Sequence, residues 1–227
     1  MDGTVRVWDA TTRQPVGDQF RAHSQVVRAA QLLLVEGRPV LVTGGDGGVR
    51  RWNPLTGHPD GAALAPDRDI RALTFTLVDR RPVLVAGTDH GIYRWDLLTG
   101  EQIGSVLAAG EQFDAVAAIV ARGVAMVFGG GDEPDLRCWT MTSGSVVTLA
   151  SVTSYRVRSL TVARTGNRPT LVVGDDHGVS TVGVGSGGQV RRVRLGFGAT
   201  ALAAETSSSL LIGSRHGLYH VTLAEGE

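Results

Sequence analysis

Tryptophan returns along this chain at a nearly fixed interval. Trp8, Trp52, Trp95 and Trp139 lie 44, 43 and 44 residues apart, and the register continues through Val182 and Val221, 43 and 39 residues further on. A second motif keeps step with it. Arg38-Pro39-Val40-Leu41-Val42-Thr43-Gly44 aligns with Arg81-Pro82-Val83-Leu84-Val85-Ala86-Gly87 and with Arg168-Pro169-Thr170-Leu171-Val172-Val173-Gly174. A period of this length means that one supersecondary unit is copied, each copy burying its apolar face against its neighbours.

Within one period the pattern is β throughout. Arg71 to Val78, Val83 to Ala86, Ile92 to Asp96 and Gln102 to Leu107 are short runs rich in strand formers. Turn residues separate them: Asp79-Arg80-Arg81-Pro82, Gly87-Thr88-Asp89-His90-Gly91 and Leu98-Thr99-Gly100. No helical period occurs. Four short strands per repeat predict the blade of an all-β propeller. The repeats divide the chain into a partial unit at 1–20, full units at 21–61, 62–107, 108–151 and 152–195, and a partial unit at 196–227, with 21 strands expected in all. Five four-stranded blades would close if Gln14 to Phe20 completed the last blade beside His216 to Leu223. That closure leaves Gly3 to Trp8 redundant. The expectation is therefore about five blades of an unclosed propeller, with upstream blades missing or the start codon mis-assigned, and with open edges prone to end-to-end association.

The ends of the repeats carry a family resemblance. Asp2-Gly3-Thr4-Val5-Arg6-Val7-Trp8-Asp9 resembles the close of a WD40 repeat, and Trp95-Asp96 repeats its Trp-Asp pair. Trp52-Asn53 and Trp139-Thr140 are relaxed versions, Ala22-His23 resembles the opening Gly-His, and Thr56-Gly57 and Thr99-Gly100 fit the loop after the Trp strand. Over essentially its whole length the chain is similar to WD40-repeat proteins of a degenerate type. The resemblance implies that Trp8, Trp52, Trp95 and Trp139 are structural anchors. It also implies that Asp2, Asp46, Asp89 and Asp176, each six residues before its anchor, cap backbone N–H groups and join a network with His, Ser/Thr and Trp. Only His23, with Asp46 and Trp52, retains the histidine of that network. The fourth unit departs: Asp132 lies seven residues before Trp139, and Glu133-Pro134-Asp135 lengthen the turn.

Composition narrows the function classes. There are 22 basic and 22 acidic residues, and a net charge of zero argues against a chain built to coat nucleic acid. All the basic residues are Arg, which points to a GC-rich bacterial genome. The lone Cys138 can form neither an internal disulfide nor a cysteine-based zinc site, and a reducing, cytoplasmic setting follows. The longest apolar run, Ala115 to Ala121, falls far short of the about 20 residues of a membrane span, and no signal peptide opens the chain.

Several groups invite a chemical reading. The turn aspartates recur once per blade, as scaffolding does, whereas catalysis needs unlike groups converging asymmetrically. His90, His177 and His216 occupy equivalent turns in different blades, too scattered for the about 2.1 Å bonds of zinc. Gly44-Gly45-Asp46-Gly47-Gly48 and Gly185-Ser186-Gly187-Gly188 precede no helix and read as hairpin turns. Arg191, Arg192 and Arg194 read as the charged guard of an exposed edge strand. Arg28, Arg71 and Arg158 each lie 24 residues before an anchor, at the start of an inner strand; the third unit has Ala115 there. They form either a positive rim able to hold an acidic peptide or anionic ligand, or internal partners of loop carbonyls and turn aspartates within their own blades. The chain is thus expected to be a non-catalytic protein-interaction scaffold with protein partners, no nucleic-acid or membrane partner, and neither cofactor nor metal. One alternative is the sensor portion of a larger bacterial protein with a kinase, protease or NTPase domain elsewhere. Another is a propeller hydrolase or lyase, whose sign would be a repeat-breaking polar cluster at the channel mouth.

Overall fold

A computed structural model describes residues 2–65, 67–141, 144–149, 152–153, 155–165, 168–184, 190–195, 197–204 and 209–222. They form nineteen strands in six small antiparallel sheets, with no helix among the described residues. The first sheet has two strands, β1 (Thr4–Trp8) and β2 (Pro15–Arg21). The second holds β3 (Val27–Val35), β4 (Arg38–Gly45) and β5 (Gly48–Trp52), and the third β6 (Ile70–Val78), β7 (Arg81–Thr88) and β8 (Gly91–Asp96). Each of these two gains a fourth segment through isolated bridges, Leu64 and Pro59 against β5, Leu107 and Gln102 against β8. The fourth sheet is β9 (Ala115–Ala121), β10 (Val124–Gly130), β11 (Leu136–Thr140) and β12 (Val146–Leu149). The fifth is β13 (Val157–Thr165), β14 (Arg168–Asp175), β15 (Gly178–Gly183) and β16 (Val190–Arg194), and the sixth β17 (Ala201–Ala204), β18 (Ser209–Ser214) and β19 (Gly217–Thr222). No sheet is closed. Arg21, placed in the second unit by the sequence, belongs to β2, and the bridged segment of the second sheet runs on to Leu64, past residue 61.

Sheet packing explains the residue pattern. The first strands abut in chain order, β3 on β6, β6 on β9, β9 on β13 and β13 on β17. The second strands β4, β7, β10 and β14 are covered on both faces, so they read as continuous apolar runs rather than alternating ones. Alternate residues serve opposite neighbours. Leu41 and Trp52 pack with Val5 and Phe20 of the first sheet, while Val40, Val42 and Val49 pack with Leu84 and Trp95 of the third. Each of the five apolar clusters lies between one sheet and the next. Close approach is made possible by a repeated glycine at the end of the second strand. An added Cβ at Gly44 would lie 2.5 Å from Ile70, and one at Gly87 2.6 Å from the Phe113 carbonyl.

The ends differ from the middle. Trp52, Trp95 and Trp139 are 3–6% exposed, each wedged between its own sheet and the preceding one, whereas Trp8 is 54% exposed. Trp8 is therefore not an inter-sheet anchor: no sheet precedes its own among the described residues, and it carries only the Arg6 guanidinium, 5.7 Å from its ring centroid. Among the described residues β19, at the other end, pairs with β18 alone and is almost wholly exposed, and β2 pairs only with β1. Among the described residues the closure expected between Gln14–Phe20 and the segment from His216 on is not formed. Among the described residues no helix is long and apolar enough to cross a membrane.

Candidate functional site

The loop ends of the sheets are where the charged and hydrogen-bonding groups gather. The hairpin from β4 to β5 turns at Gly47 and Gly48, with φ of +77° and +87°, so the glycine-rich run is a turn as its sequence predicts. The Gly185–Gly188 run lies outside the described residues. Beside the first turn the buried His23 Nδ1 donates to the Asp46 carbonyl oxygen at 2.7 Å, and its Nε2 lies 2.9 Å from the Thr43 hydroxyl. The Trp52 indole N–H donates to that same hydroxyl at 2.9 Å. A carbonyl can only accept, so the Nδ1–H tautomer fits: Nε2 accepts from Thr43, and Thr43 accepts from Trp52. The Asp46 carboxylate accepts from the Gln25 N–H at 3.0 Å and from the Ser24 hydroxyl. The Ser24 bond foremost, aided by the Gln25 N–H, outweighs the opposing desolvation and holds this carboxyl below its ordinary value. His23, Asp46 and Trp52 are thus brought together as the sequence anticipates. Thr43 and Ser24, the relays of the network, carry no repeat signal in the sequence that marks them.

The other turn aspartates act differently. Asp2 accepts from the Thr4 N–H at 3.2 Å and the Thr4 hydroxyl at 2.8 Å, a local cap that lowers its pKa. Asp89 faces the His90 ring at 3.2 Å, and the N–H of His90 is instead capped by the preceding residue, Thr88, at 2.9 Å. The same shift occurs in the fifth sheet. Asp175, not Asp176, accepts from the His177 N–H at 2.7 Å, from the Thr153 hydroxyl at 2.5 Å and from Arg192 at 2.8 Å. Ser214 caps His216 in the sixth. The capping position is therefore the last residue of the second strand, whose side chain turns back over the hairpin. At Gly45 that side chain is missing, and the Asp46 carboxylate is turned to Ser24 and Gln25 of the preceding loop. Burial pushes the Asp175 carboxyl up, but Thr153, His177 N–H and Arg192 together hold it below the ordinary range. Arg192 is accordingly an internal partner, on an edge strand, β16, whose residues, Arg191 and Arg194 among them, are all exposed. His90, His177 and His216 are exposed on turns of three different sheets.

The three singled-out arginines share a backbone feature. The ladder between first and second strands slips between Val27 and Ala29, between Ile70 and Ala72, and between Val157 and Ser159. Arg28, Arg71 and Arg158 are the residues at these bulges, which re-aim their side chains. The β9–β10 ladder, with Ala115 at this place, is regular. Each arginine meets a carboxylate: Arg28 with Asp69 at 3.2 Å, Arg71 with Asp114 at 3.0 Å, Arg158 with Asp176 at 2.7 Å. The first two pairs reach the loop before the next sheet, and the third stays within its own. Arg156 adds pairs to Asp114 at 2.5 Å and Asp132 at 2.8 Å. The rim is an alternating belt of charges rather than a positive ring.

A second arginine device is half-buried at Arg51 and buried at Arg94. Arg51 donates to the Leu97 carbonyl at 2.6 Å, and Arg94 to the Met141 carbonyl at 2.9 Å and the Ser105 carbonyl at 2.7 Å. Both precede a Trp by one residue, and both reach the chain two residues past the next sheet's Trp. Burial alone lowers the pKa of Arg94. Burial also pushes the Cys138 thiol up to about 11, which leaves it an inert thiol at neutral pH.

No family model and no curated protein matches the chain. Solved structures similar to it run to 1037 chains, so the arrangement is widely used and its architecture alone speaks for no one function. One of them is the crystal structure of the computationally designed Ika8 protein, 23% identical with a TM-score of 0.68 over 98% of this chain and 66% of that one. The chain thus spans just under two thirds of that designed chain's length, and the likeness is one of fold.

Proposed function

We propose that this chain is a WD40-type β-propeller, or an arc of one, serving as a non-catalytic scaffold that binds protein partners through the loops at the ends of its sheets. The observation that carries the reading is the five-fold repetition of one inter-sheet interface. A disc built this way holds its loops in fixed positions, where partner contact resides. The turn carboxylates and bulge arginines are engaged in tying those loops to the sheets. The Arg-only basic set and single cysteine favour a bacterial, cytoplasmic setting. Affinity capture on the purified chain, followed by hydrogen exchange on the reconstituted pair, tests the reading. Protection concentrated in loops at one end is expected; protection confined to the strand interiors, or no retained partner, overturns it.

A specific observation favours a second partner, another copy of the chain. Trp8 and Leu218, 54% and 71% exposed, hold the repeat positions of Trp52 and Val49, which are buried inside covered interfaces. Their end-to-end contact would repeat that interface between copies.

A further inference from the structure

We propose that the groove between the fourth and fifth sheets is a docking site for an acidic segment with aliphatic side chains, such as an extended Glu/Leu peptide. The inference rests on the scaffold reading and names the chemistry of one partner site.

The repeat shows where the groove departs from it. Three first-to-second-strand hairpins turn on two residues with positive φ: Glu36-Gly37, Asp79-Arg80 and Arg122-Gly123. Their first positions are 43 residues apart, and the acid of the second and third sheets becomes Arg122 in the fourth. A positive-φ pair is a tight turn that holds its first side chain at the hairpin tip. Across the groove the next hairpin presents Arg164 and Arg168. The groove encloses about 550 Å³, within the usual range of ligand sites, over an apolar floor that includes Val120, Val124 and Met126. Val120 and Val124 are exposed.

Charge sets this groove apart. The comparable cavity of about 570 Å³ at the second sheet is lined by Glu36 and Asp60 as well as Arg38 and Arg51, and Glu36 sits 3.9 Å from Arg38. No carboxylate lines the groove at Arg122, and none of its three arginines has an ion-pair partner among the described residues. Guanidinium groups stand on both walls, so a ligand with carboxylates spaced along its length engages both. The apolar floor between them accepts the aliphatic side chains that alternate with those carboxylates in an extended peptide.

The test uses purified 1–227 and a fluorescein-labelled decapeptide of alternating Glu and Leu, followed by anisotropy at low salt and at 0.5 M salt. Saturable binding that weakens with salt is expected. Arg122→Glu restores the acid that the other tips carry and keeps the turn, and it should weaken binding at least tenfold. Combined Arg164→Ser and Arg168→Ser should do the same, with unchanged thermal midpoints. Arg38→Ser should leave binding unchanged, and a Glu/Ser peptide should bind at least tenfold more weakly. Absence of saturable binding, equal loss in the Arg38 variant, or equal affinity for the Glu/Ser peptide overturns the proposal. So does retention on phosphatidylserine vesicles that the peptide fails to displace. A captured protein that binds the Arg122, Arg164 and Arg168 variants unchanged overturns this site while leaving the scaffold reading intact.

Discussion

Arg192 on the edge strand β16 donates to the Asp175 carboxylate at the end of β14 across 2.8 Å, spanning the full width of the second half of its sheet. The pair locks the outer strand to the hairpin turn. Its geometry makes Asp175 sensitive to acid. The folded carboxyl lies below its ordinary value of 3.8, so its contribution is complete above about pH 5 and fades as pH falls through the folded value. Asp175→Asn should cost about 1–3 kcal/mol at pH 7. The gap in thermal midpoint between wild type and this variant should narrow from pH 7 to pH 3. A gap independent of pH would show that the charge of Asp175 is not what the pair uses.

The His23–Thr43–Trp52 chain predicts graded losses. Trp52→Ala should cost about 3–5 kcal/mol, since the ring fills the space between the first two sheets and packs on Phe20 at 5.0 Å. Thr43→Val removes the shared hydroxyl and strands both the indole N–H and His23 Nε2, for about 1–3 kcal/mol. Urea melts of Thr43→Val, Trp52→Phe and the double variant should show non-additive losses, because one hydroxyl serves both partners.

Arg94 should be costly to remove although it makes no ion pair. Arg94→Leu leaves the Met141 and Ser105 carbonyls without their donor, a loss of about 1–3 kcal/mol by denaturant unfolding. Arg81→Leu is the contrast: its partner Asp96 is buried but Arg81 itself is largely exposed, and the effect should stay below about 1 kcal/mol.

End-to-end contact is tested by complementation. Sedimentation velocity on 1–227 should show mass rising with concentration. Trp8→Asp and Leu218→Asp should each leave monomers, and an equimolar mixture of the two should stop at a dimer, because one good face remains on each copy. A wild-type chain that stays monomeric with Trp8 quenched and protected would mean that its two ends meet within one molecule.

The sequence by itself determined the period, the strand order within a unit and the burial of three of the four tryptophans. These follow from local chemistry: turn residues punctuate apolar runs, and each run's spacing sets which face it can bury. His23 with Asp46 and Trp52 was legible through the resemblance of those three residues to the His, Asp and Trp of a WD40 repeat. Only the tertiary structure decided what each charged group meets. The partners of Arg28 and Arg71 lie 41 and 43 residues away in the loop before the next sheet, and their aim depends on bulges that no residue type announces. The capping role moved from Asp176 to Asp175, and from Asp89 to Thr88, because the last side chain of the second strand reaches the turn's N–H first. Trp8 shows the same division. Its place in the period marks it as an anchor, yet burial of an indole takes a second sheet, and among the described residues none stands before β1.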